Sequence, residues 1–168
     1  MSMEYKTDSS LLSEQHNTLL LVDTIVGQAD LAMRPSFELL GGTALLFHGV
    51  EAVFTVDIDV ANAQSETVKK LVEPFISDMA STVVYLAKNY KDRLIPYPEG
   101  QFTNIDVWLL SIEDLIITKL YAWRHKDQED LVKTNLFSKC NFATLTRIIN
   151  DEFPVEEASK LLTRLSTI

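Results

Sequence analysis

Two aspartates separated by one apolar residue, in Thr55-Val56-Asp57-Ile58-Asp59-Val60, follow soon after Phe37-Glu38-Leu39-Leu40-Gly41-Gly42-Thr43. On a strand, residues two apart leave from the same face, so Asp57 and Asp59 would stand together on a backbone anchored through Ile58 and Val60. Like charges held that close repel unless a cation sits between them, and hard oxygen donors suit Mg²⁺. The glycine pair permits a sharp turn and a close approach of backbone to another group. Strand, glycine turn and acid-bearing strand together read as a site that grips a nucleoside triphosphate through its phosphates and its metal. The competing reading is an acidic edge strand that keeps the surface solvated, next to a tight turn with no ligand.

The rest of the chain sets the frame for that pair. Leu12, Leu19, Leu20, Val22, Ile25 and Val26 recur at helical spacing, which predicts a helix from Leu11 to about Met33; residues 1–10 are polar and expected to fray. Arg34-Pro35 ends the helix, because the residue before proline is pushed out of the α region. Phe37–Leu40 reads as a strand, Thr43–Phe47 as a helix, and Val53–Ala61 as a second strand. Ser65–Met79 has helical periodicity with Ser65 as N-cap, and Thr82–Leu86 reads as a strand. A short strand is expected at Arg93–Ile95 and a longer one at Phe102–Leu110. Ser111-Ile112-Glu113-Asp114 is a capping pattern that opens a helix to about Trp123. Three more helices are expected over Gln128–Phe137, Phe142–Asp151 and Val155–Leu165.

The fold class is therefore α/β (α+β), a small mixed sheet flanked by helices with a helical C-terminal third. At 168 residues the chain has the length of one domain. The expected organisation is an N-terminal helix at 11–34, a core at 35–131 and C-terminal helices at 132–168. A net charge of −9 argues against a broad nucleic-acid footprint, though not against a local basic patch. Cys140 is the only cysteine, no signal peptide is visible, and no apolar run reaches the length of a membrane span. The expected location is the cytoplasm.

Gly41-Gly42-Thr43-Ala44-Leu45, His48-Gly49 and Thr55-Val56-Asp57-Ile58-Asp59 resemble the GG-[ST]-A-L … H-G … T-x-D-[IL]-D pattern of the polymerase-β-like nucleotidyltransferases. The nearest branch is the minimal group that includes the AbiEii-type toxins of toxin–antitoxin and phage-defence systems. A second block, Ser111-Ile112-Glu113-Asp114-Leu115 … Lys119-Leu120 … Lys126-Asp127-Gln128-Glu129-Asp130-Leu131, is similar to a later segment of the same group. The two blocks occur in the expected order, and the resemblance runs from about Phe37 to Leu131. There are two departures, one of them a short C-terminal third that lies outside the resemblance. Many relatives carry an arginine shortly before the acidic strand, where this chain has Glu51-Ala52-Val53-Phe54.

The resemblance implies transfer of a nucleoside monophosphate from an NTP to a hydroxyl acceptor: a tRNA 3′ end, a protein side chain or a small molecule. Asp57 and Asp59 would be metal ligands, with Asp106 as third carboxylate and proton acceptor, in a one- or two-ion Mg²⁺ site. Asp106 on an exposed strand face is equally well explained by solvation. Gly41 and Gly42 would offer backbone N–H groups to the triphosphate and Thr43 a hydroxyl. Lys119 would reach the phosphates, against the ordinary alternative of a snorkelling lysine. Asp127 and Asp130 share a helical face and would orient Lys119 or the nucleotide. Arg124, His125 and Lys126 form the densest basic cluster, either a phosphate contact or a solvated corner. His48 reads as a half-buried, satisfied histidine, and the histidines and Cys140 lack zinc spacing. A toxin role would bring an antitoxin or partner subunit. The alternatives are an inactive nucleotide-binding module or a purely structural interaction domain.

Overall fold

Ser36–Leu40 forms the central strand, β1, and the whole sheet is organised around it. In the computed structural model, which describes residues 8–51, 53–78, 85–98 and 102–168, Phe37 to Leu40 are all buried. A strand covered on both faces buries successive residues rather than alternate ones, and its one charged member, Glu38, accepts from the Tyr90 hydroxyl at 2.7 Å. Four further strands complete the sheet: β2 (Ile58–Val60), β3 (Ile76–Ser77), β4 (Ile95–Pro96) and β5 (Asp106–Leu109), in the order β3-β2-β1-β5-β4. β1 runs antiparallel to β2, with Leu40 opposite Asp59, and parallel to β5, with Ser36 opposite Asp106. β3 is parallel to β2, and β4 antiparallel to β5.

Seven described helices surround the sheet: α1 (Asp8–Gly27), α2 (Gly41–Phe47), α3 (Glu66–Val72), α4 (Ile112–Ala122), α5 (His125–Lys133), α6 (Phe142–Glu152) and α7 (Val155–Ser166). Leu11, Gln15, Leu19, Val22 and Val26 form the buried stripe of α1, which packs on α2 and α3. α2 lies against β1 and β2, while α4, whose Leu115, Ile116, Ile117 and Leu120 are fully buried, packs against α5, α6 and α7. Ser111 caps α4 as its sequence predicts, accepting from the Asp114 N–H. No described helix is long and apolar enough to cross a membrane.

Several boundaries differ from expectation. Residues 8–10 are helical rather than frayed, and α1 stops at Gly27, short of Met33. A Cβ on Gly27 would stand 2.3 Å from the amide nitrogen of Asn104, and Asp23 in α1 accepts the backbone N–H groups of Asn104 and Ile105. That docking fixes where the helix ends. The helix expected to Met79 stops at Val72 because Pro74 follows, and Ile76–Ser77 is then free to pair with β2. Of Val53–Ala61 only Ile58–Val60 is strand; the run before it keeps the alternation of a strand without a partner. The strand expected at Arg93–Ile95 begins two residues later, at Ile95–Pro96, after a 3₁₀ turn at Tyr90–Arg93. Residues 82–84 of the strand expected at Thr82–Leu86 lie outside the described residues. The helix expected over Gln128–Phe137 starts earlier, at His125, and gives way to a 3₁₀ turn at Leu136–Lys139.

Candidate active site

The antiparallel register of β1 and β2 puts the end of one strand beside the acids of the other. Asp59 faces Leu40, the residue before the glycine pair. Gly41 has φ +64, a left-handed conformation that makes the turn from β1 into α2, and a Cβ there would lie 3.7 Å from Asp59 Oδ2. Ile58 is buried between the two acids, with Asp57 exposed and Asp59 half-buried. Burial raises the Asp59 carboxyl above the usual carboxylate range, and the charge of Asp57 pushes it the same way; the charges of Lys126 and Arg124 act against that rise. Asp59 and the glycine turn therefore meet at one end of the sheet, within reach of the charges of Lys126 and Arg124.

Gly42 has a different task from Gly41. A Cβ on Gly42 would stand 2.5 Å from the Thr55 Cβ, so the missing side chain lets the Thr55–Asp57 segment lie against α2. Gly42→Ala is expected to cost about 1–3 kcal/mol by overpacking, read from urea unfolding, and in a Thr55→Gly background the same change should cost much less. An equal cost in that background would place the strain elsewhere.

Thr43 is turned into the protein interior. It is fully buried, and its hydroxyl lies 3.0 Å from the Asp57 carbonyl and 3.2 Å from Gln15 Oε1, both acceptors. The Thr55 hydroxyl donates to the same carbonyl, and the Gln15 amide donates to that of Val56. These buried bonds hold the backbone from which Asp57 projects. Thr43 is thus a positioning residue rather than the phosphate donor expected of it. Gln15 was not anticipated: a lone glutamine on a helix about forty residues away carries no local signal.

Asp106 is not brought to the pair. It lies opposite Ser36 while Asp59 lies opposite Leu40, and four residues along a strand separate them by about 13 Å. At that far end Asp106 pairs with Arg34 at 2.9 Å. Alternation along β5 gives the right face but the wrong level, which corrects the expected third carboxylate. Among the described residues no group of three or more His, Cys, Asp or Glu side chains is placed to hold a metal ion.

Lys119 is also placed differently from expectation. Its side chain is buried, with Nζ 2.7 Å from Asp130 Oδ2 and 3.8 Å from Asp127 Oδ1. Asp127, itself buried, accepts from the backbone N–H and the Nε of Arg124. Asp127 and Asp130 do orient Lys119, but they occupy its charge in doing so. His48 donates through Nε2 to the Leu110 carbonyl, and burial lowers its pKa; it is half-buried and satisfied within the fold.

A family model described as a nucleotidyltransferase of unknown function (DUF6036) matches residues 18–164, a stretch that contains both glycines, both carboxylates and the charged cluster of α5. No curated protein and no solved structure matches the chain.

Proposed function

The chain belongs to that family of nucleotidyltransferases of unknown function, and from this premise we propose that it is a Mg²⁺-dependent cytoplasmic enzyme moving a nucleoside monophosphate from an NTP to a hydroxyl acceptor. The observation that carries the reading is Asp59 set beside the left-handed Gly41, with Asp57 near enough for its charge to act on Asp59. Two carboxylates, with the remaining positions left to substrate phosphates and water, are a donor set that Mg²⁺ accepts. When bound, the metal would neutralise phosphate charge and align the attacking and leaving oxygens. Asp57 and Asp59 would hold it. The Gly41-Gly42 turn would let the triphosphate lie close to the backbone, where the first N–H groups of α2 have no side-chain cap. Gln15, Thr43 and Thr55 would keep Asp57 in register during turnover.

The acceptor is proposed from the AbiEii-type resemblance: a tRNA end, a protein hydroxyl or a small molecule, with a toxin–antitoxin or phage-defence role and an antitoxin as partner. A second reading, a nucleotide-binding module without turnover, is favoured by the placement of Asp106 with Arg34, away from the pair. One assay separates the two. Each NTP, labelled at the α-phosphate, is supplied with Mg²⁺ and total RNA, and nucleotide binding, pyrophosphate release and label transfer are followed. Release that stops on chelation supports the enzyme. Binding without release supports the module, and neither binding nor release refutes both.

A further inference from the structure

The geometry points to Arg124, assisted by Lys126, as the cationic arm that contacts the triphosphate, with the buried Lys119, Asp127 and Asp130 as the frame that positions it. This rests on the nucleotidyltransferase reading above. The lysine expected to meet phosphate is not free to do so, because Lys119 is only 8 % exposed and its ammonium is shared between two acids. Arg124 is the reverse case: its side chain is 75 % exposed, yet held on one edge by Asp127 at 2.7 Å through Nε and 3.2 Å through Nη2. A guanidinium gripped on one edge keeps its fork aimed while its other donors remain available, the arrangement that suits bidentate phosphate recognition.

The chain path supports the same assignment. Trp123 ends α4 in the left-handed region, with φ 52, and turns the backbone so that Arg124 becomes the first residue before α5. The same carboxylate that holds the Arg124 side chain accepts its backbone N–H at 3.1 Å. Asp127 in turn lies within ion-pair distance of Lys119, so the frame reaches into the helix packing of α4. The charges of Arg124 and Lys126 both act on Asp59, which puts them on the side of the sheet where the carboxylate pair stands.

The test is calorimetry with Mg²⁺ and two probes, inorganic triphosphate and a non-hydrolysable NTP, on the full chain. Arg124→Gln should weaken both probes by the same factor, about 10- to 100-fold, as expected for loss of hydrogen bonds to a charged group. Arg124→Lys should recover part of that loss, and Lys126→Gln should give a smaller one. Asp127→Asn releases the Arg124 side chain from its carboxylate, so adding it to Arg124→Gln should weaken binding no further. An additive loss would overturn the positioning role. If the wild type binds both probes and Arg124→Gln binds them equally well, this inference falls and the function stands. If the wild type binds neither at any Mg²⁺ concentration, the nucleotidyltransferase reading falls with it.

Discussion

Asp59→Ala should abolish nucleotidyl transfer while leaving the melting temperature unchanged or higher. The loss in rate is expected to be about 10²–10³-fold or more, the range for removing one preorganised group that stabilises charge in a transition state. Stability moves the other way because burial and Asp57 both raise the Asp59 carboxyl, so its ionised form is a burden on the folded state. A carboxyl with a raised folded pKa binds its proton more tightly folded than unfolded. Its destabilising effect is therefore absent at low pH and appears as pH rises from the ordinary carboxylate range through the folded value. In metal-free buffer the variant should gain on the wild type as pH increases across that window, and added Mg²⁺ should stabilise only the wild type. Thermal melts with and without Mg²⁺, beside the labelled-NTP assay, check both halves. A variant that keeps full activity would remove Asp59 from the mechanism.

Arg93→Met should cost about 3–5 kcal/mol, the usual effect of stripping the partner from buried charges. The Arg93 guanidinium donates twice to Asp114, at 2.8 Å and 2.8 Å, and twice to Glu152, at 2.6 Å and 3.0 Å. Those carboxylates are 1 % and 5 % exposed, so water cannot replace the arginine. The node ties the Tyr90–Arg93 turn to the start of α4 and the end of α6, and α4 is the helix that carries Lys119. In the wild type Arg93 holds the Glu152 carboxyl below its ordinary range. That contribution is present above the ordinary carboxylate range and fades as acid protonates the folded group. Without the arginine that contribution is lost, and burial alone favours the neutral form of Glu152. Urea unfolding at neutral and mildly acidic pH should show the variant losing less against wild type at the lower pH. A cost under about 1 kcal/mol at neutral pH would contradict the node's importance.

What could be read in the chain, and what could not, follows from the range of the interactions involved. Local signals were sufficient for the Ser111 cap, the ends of α6 and α7, and the strand at Phe37–Leu40, since caps, apolar periods and turns act within a few residues. Pro74 was an equally local stop signal for α3, but the apolar spacing of Phe75 and Ile76 masked it. The face of Asp106 was legible from alternation, whereas its level on the sheet depends on the pairing of Ser36 with β5. Residue parity alone does not fix that register. The hydroxyl of Thr43 fits a donor motif in sequence, and only the packing of α1 shows it committed to Gln15 and the Asp57 backbone. Lys119, Asp127 and Asp130 were identifiable as a group from the spacing of the second block. That the lysine would be enclosed while Arg124 remained exposed is a property of the α4–α5 corner.

The most direct measurement is a crystal structure of the protein with Mg²⁺ and a non-hydrolysable NTP. The metal should lie between the Asp57 and Asp59 carboxylates, with the triphosphate along Gly41-Gly42 and Arg124 turned toward it. A nucleotide bound elsewhere, or a metal that leaves Asp59 unliganded, would contradict the site described for this chain.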